Sequence, residues 1–148
     1  MISDQVYNVL TNGVGHIGCA SSSFKPFHAD ALGIYCDQDT NTIVCCLNKA
    51  TNKLFLENLE IGSRVSLFVG VISHEAYNLK GAVTDLRLVN DDESKVCDDL
   101  RKKMYSFYDE LGIPKNLADR YWLKPIDLSL VFSVDKVFVQ TPGPDAGK

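Results

Sequence analysis

At 148 residues the chain has the size of one domain, residues 1–148, with room for a real core. Its 45% hydrophobic and 23% charged residues are ordinary for a globular protein, and no apolar run approaches the roughly 20 residues that a membrane-spanning helix needs. The net charge of −4, carried without a basic stripe, argues against general nucleic-acid binding but leaves room for one locally positive pocket.

The opening residues, Met1-Ile2-Ser3-Asp4-Gln5, carry neither the basic nor the apolar block of a secretory leader, so the expected location is the cytoplasm. Residues 3–11 read as a short helix: Ser3 is a suitable N-cap, Val6, Val9 and Leu10 form an apolar stripe, and Asn12-Gly13 stops it. Residues 14–22 and 28–36 read as strands, joined by a turn that includes Pro26. After a polar turn at 37–41, residues 42–47 form a strand whose unbroken apolar run predicts burial on both faces.

Residues 51–60 read as a short helix with Leu54, Phe55 and Leu59 on one side and Gly62 as its stop. Two more strands follow, at 64–71 and at 75–89, the second long and alternating. Gly81 within it points to a bulge or a close backbone approach. Residues 90–94 have helix N-cap chemistry, and residues 95–111 give the strongest helix, with Val96, Leu100, Met104, Phe107 and Leu111 at three- and four-residue steps. A second short helix at 116–122 and a last strand at 127–140 complete about six strands and three or four helices. The strands follow one another through turns, which favours an antiparallel barrel over a doubly wound sheet.

The five cysteines, Cys19, Cys36, Cys45, Cys46 and Cys97, form no C-x-x-C pair, and four of them lie in strand-like runs. They read as reduced core thiols, with a redox role for adjacent Cys45 and Cys46 as the alternative. His28 and Asp30 share a strand face without a third metal ligand in view. The stretch with the most chemistry is a polar knot, Asn48, Lys49, Ala50, Thr51, Asn52 and Lys53, which a buried strand delivers to a helix start. Free backbone N–H groups there suit an anion such as a phosphate; the bland alternative is a solvated helix start with its lysines in water. Lys80 could face a ligand or solvent.

The order of these motifs resembles the pyridoxamine 5'-phosphate oxidase-like FMN-binding split barrels. The resemblance rests on the Gly15-His16-Ile17-Gly18 opening strand and the strand–knot–helix segment. It rests also on the passage from Asn58-Leu59 through Arg64-Val65 to Leu67, the Asn78-Leu79-Lys80-Gly81 strand opening, and the closing Thr141-Pro142-Gly143-Pro144. It covers essentially the whole chain and implies a mainly β, six-stranded antiparallel split β-barrel with flanking short helices. It further implies a homodimer with FMN at the subunit interface, the phosphate beside Asn48, Lys49, Thr51, Asn52 and Lys53, and the flavin ring along Ala29, Asp30, Ala31 and Leu32, held largely by backbone groups. The second subunit would close the site, with Trp122 and the C-terminal segment as candidates.

The resemblance also implies an oxidoreductase acting on a small molecule. It departs from true pyridoxamine-phosphate oxidases in lacking their arginine-bearing C-terminal segment, and it offers lysines where arginines are common, which act as point charges without a bidentate fork. The rival readings are a non-enzymatic flavin or haem carrier of the same fold and a protein that takes a deazaflavin.

Overall fold

The computed structural model describes residues 2–148. Helix α1 (Asp4–Asn12) opens on Ser3, whose Oγ accepts from the Val6 N–H at 3.3 Å, and it buries Val6, Val9 and Leu10 as the stripe predicts. The chain continues through β1 (Val14–Ala20), β2 (Pro26–Ala31), β3 (Gly33–Asp37), β4 (Thr42–Leu47), α2 (Lys53–Glu57), β5 (Arg64–Gly70), β6 (Ala76–Arg87), α3 (Asp91–Glu110), α4 (Lys115–Trp122) and β7 (Leu128–Val139). The strands form one antiparallel sheet in the order β2-β1-β5-β6-β7-β4-β3.

The architecture is the expected mainly β antiparallel one with flanking helices, but the strand count is seven instead of six. Residues 28–36 bend at Leu32. The half before the bend pairs with β1, the half after it pairs with β4, and the Leu32 N–H donates to the Cys46 carbonyl at 2.9 Å. The sheet's two edge strands are thus consecutive in the chain, and the sheet curls until its edges meet at Leu32. The bend has a packing cause. Ala29, Ala31 and Ile34 face the sheet's main core, whereas Leu32 turns to the opposite side, into the cluster of Leu100, Met104 and Trp122. Gly33 lies under α3 so closely that a Cβ would sit 2.3 Å from Cys97 Sγ and 3.0 Å from its Cα.

Helix α3 explains the continuous apolar run of β4. Ile43, Cys45 and Leu47 enter the main core, while Val44 and Cys46 face outward against Cys97 and Val131. All five cysteines are buried and free. The buried face of α3 keeps Leu100 and Met104 of the expected stripe and adds Glu93 and Cys97, while Val96 and Phe107 are half-buried and Leu111 is exposed beyond its end. The helix also starts earlier than expected, at Asp91, on a complete capping box between Asn90 and Glu93. Gly81 shows both features expected of it. The β6–β7 register shifts between Lys80 and Gly81, and a Cβ on Gly81 would lie 2.0 Å from the Ser133 carbonyl oxygen.

Helix α2 is shorter than expected, five residues against a span of 51–60, because residues 49–52 form turns in which Thr51 and Asn52 bond back to Asn48. Phe55 is buried there, Leu59 is half-buried and Leu54 is exposed. No helix among the described residues is long and apolar enough to cross a membrane.

Candidate functional site

The polar knot is a self-satisfied turn. Asn48 is 4% exposed; its Nδ2 donates to the Pro125 carbonyl at 2.8 Å, and its Oδ1 accepts from the Thr51 N–H at 2.9 Å and from Thr51 Oγ1 at 3.0 Å. Asn52 Nδ2 returns a bond to the Asn48 carbonyl at 2.8 Å. The Lys49 N–H donates to Asp127 Oδ1, also at 2.8 Å. The groups left for a ligand are the exposed ammonium ends of Lys49 and Lys53, the second lying 3.7 Å from Glu57 one helical turn on. A one-turn helix such as α2 adds little dipole of its own, so any anion here rests on the lysines.

Of the residues expected beside a flavin ring, Ala29 and Ala31 point into the core, and Leu32 is buried under α3 and α4. Asp30 alone turns outward. Its Oδ1 meets His16 Nδ1 at 3.0 Å across the β1–β2 ladder, and its Oδ2 lies 3.6 Å from Lys124 Nζ. Lys124 Nζ in turn sits 4.9 Å from the Tyr121 ring centroid. The Tyr121 hydroxyl is buried and has no hydrogen-bond partner among the described residues. Burial, the Asp30 charge and Tyr108 push its ionisation well above the ordinary tyrosine range, so it remains a neutral donor. β2 is an edge strand, and such a strand carries a row of backbone groups without a strand partner.

Segment 124–127 joins the two expected halves of the site. Pro125 receives Asn48, Asp127 receives the Lys49 N–H, and Lys124 reaches Asp30. Knot and ring segment thus flank one connection, with Lys49, Lys53 and Lys124 as cations around it. The sequence offered no sign that His16, Lys124 and Tyr121 would gather around Asp30. A cross-strand pair 14 residues apart and a lysine that arrives from beyond α4 become visible only once strand register is known. Trp122, a candidate for closing a partner's site, is 1% exposed inside its own chain, where its Nε1 donates to the Tyr108 hydroxyl at 3.3 Å, so it serves the core.

By sequence the chain matches no family model and no curated protein significantly. By structure it resembles HupZ of Group A Streptococcus (TM-score 0.59, 13% identity, covering 99% of this chain and 100% of that one). It also resembles a provisional pyridoxamine 5'-phosphate oxidase of Lactobacillus delbrueckii (0.56, 14%, 92% of each). An FMN-binding protein of Syntrophomonas wolfei is a third neighbour (0.52, 11%, 84% of this chain and 75% of that one). The chain has the fold of the pyridoxamine 5'-phosphate oxidase-like FMN-binding split barrels.

Proposed function

We propose that this protein binds FMN between the polar knot and Asp30, as a homodimer whose second subunit closes the site, and acts as an oxidoreductase on a small molecule. The observation that carries the reading is the meeting of three things at segment 124–127: the lysine-bearing knot, the edge of β2 and a buried hydroxyl without a partner. A flavin fits that set. Its ring edge offers acceptors for Tyr121 and for β2 backbone donors, and its phosphate suits Lys49 and Lys53. The FMN named for one structural neighbour supports the same choice.

When bound, the flavin supplies hydride or electron transfer at its ring. The chain's own part is to hold and orient. Lys49 and Lys53 balance the phosphate charge, Asp30 is fixed between His16 and Lys124, and Tyr121 donates one hydrogen bond from a dry position. A second reading, flavin carriage without turnover, draws on the same cluster, since its acid and base groups are paired to one another.

The test is the visible spectrum of the freshly purified protein together with the mass of any released chromophore. A two-band flavin spectrum and the mass of FMN are expected. A colourless protein that also fails to take up added FMN overturns the proposal, and a Soret band reassigns the site to haem. Reduction by NADH or NADPH followed by reoxidation by a substrate separates the enzyme from the carrier.

A further inference from the structure

A groove lies beside that site, starting two residues along β2 from Asp30 at His28. It encloses about 570 Å³, within the range of small-molecule pockets, and runs over the outer face of β2, β1, β5 and β6. Strand register shows how it is built. His28 pairs with Gly18, Gly18 with Ser66, and Ser66 with Lys80, so these residues form one rung across four neighbouring strands. Strands are spaced by roughly 4.8 Å, which places His28 and Lys80 about 14 Å apart as walls with Gly18 and Ser66 as the floor between them. The next rung along β1 and β2, about 7 Å away, is the His16–Asp30 pair.

Gly18 has no reason of its own to be glycine. Of the other two strand-interior glycines, the fold dictates Gly81, where a Cβ would run into the Ser133 carbonyl oxygen, and Gly15 is crowded only by the end of the flexible Ile34 side chain. A Cβ on Gly18 would find only the Phe27 and Ser66 carbonyl oxygens, at 3.5 and 3.9 Å, which are ordinary contacts, and its φ lies outside the left-handed region. Glycine weakens a strand interior. Here it keeps flat the floor of a groove that the protein itself does not fill.

Charge gives the second half. On a chain of net charge −4, the groove is lined by His28, Arg64 and Lys80 and by no carboxylate. Arg64 is held by Asp135 at 2.6 Å. Lys80 has no carboxylate partner among the described residues; its Nζ stands 5.1 Å from the Phe138 ring centroid.

We propose that this groove is a binding site for a flat aromatic ring system carrying an anionic group, the ring lying on Gly18 and the anion meeting Lys80. That it is the substrate site rests on the flavin reading above, because it adjoins Asp30; its selectivity for flat anions does not.

The probe is 2-naphthoate, added to the purified protein and followed through the amide NMR shifts of β1 and β5. Decahydro-2-naphthoate serves as the puckered anion and 2-naphthamide as the uncharged ring. Binding of 2-naphthoate at Gly18, at least tenfold tighter than either control, is expected. Gly18→Val should keep or raise the thermal midpoint while weakening 2-naphthoate at least tenfold, and Lys80→Gln should erase the preference over the amide. Should Gly18→Val fail to fold, Ser66→Leu obstructs the same floor.

Equal affinity for the three probes, or unchanged affinity in the floor variants, overturns the proposal. A change of solution mass in Gly18→Val overturns it too, by making the groove a contact between copies of the chain. Displacement of 2-naphthoate by FMN overturns the substrate assignment. Naphthoate binding in a protein that holds no flavin leaves this site standing while the flavin reading falls, and the reverse result does the opposite.

Discussion

Glu93 shows what one buried charge does in this molecule. It is 2% exposed. Burial alone would raise its pKa, but hydrogen bonds from Arg87, from Ser129 Oγ at 2.7 Å and from the Asn90 N–H at 3.1 Å outweigh burial and hold it down at about 2. A carboxylate depressed from the ordinary 4.5 to about 2 contributes about 3 kcal/mol that is fully present above pH 4.5 and is lost as the pH falls toward 2. Glu93→Gln should therefore cost about 3 kcal/mol in urea unfolding at pH 7. It should also flatten the loss of stability that the parent shows between pH 4.5 and 2.5; an equally steep acid loss in the variant would refute this role. At the candidate site, Lys49→Ala and Lys53→Ala should each weaken FMN binding by about tenfold, less at high salt, since exposed ammonium groups act as screened point charges. Unchanged affinity by fluorescence titration would remove the knot from the site. The sequence signalled the Asn90 cap but not that Glu93 at N3 would be buried, because its partners Arg87 and Ser129 lie on two strands whose register is a tertiary property.

Among the elements, those governed by local pattern were legible and those governed by packing were not. The α1 stripe and its Ser3 cap, the doubly buried β4 and the special character of Gly81 all follow from residues within a few positions of one another. The bend at Leu32 does not, because it answers to α3, some 65 residues downstream, pressing Cys97 onto Gly33. Gly33→Ala must push that helix away or twist β3, and Gly81→Ala must push the β7 backbone. Each should cost about 1–3 kcal/mol as overpacking does, read as a lower denaturation midpoint with an unchanged urea slope. Gly18→Ala should cost nothing, and the contrast among the three glycines measures which of them the fold requires.

For the whole molecule, the order of strands and helices was readable because turn-linked antiparallel strands leave few topologies open. The pairing of β7 between β6 and β4 was not, nor was the meeting of knot and Asp30 at segment 124–127, since both join residues from opposite ends of the chain. The homodimer makes its prediction at this scale: light scattering of the flavin-loaded protein should return twice the chain mass, and a monomer with flavin still bound would refute it.

The place of β7 also sets the order in which this molecule can form. The β1–β2 and β3–β4 hairpins are local and can close early, but β4 has no partner on its other side until Ser133 reaches Thr42, across about 90 residues of chain. Until then β4 and β6 present open edges. The strand that covers both of them follows the other six in the chain. Before that strand pairs, the edges of β4 and β6 that it covers lack a strand partner and are of the kind that pairs with a neighbouring chain.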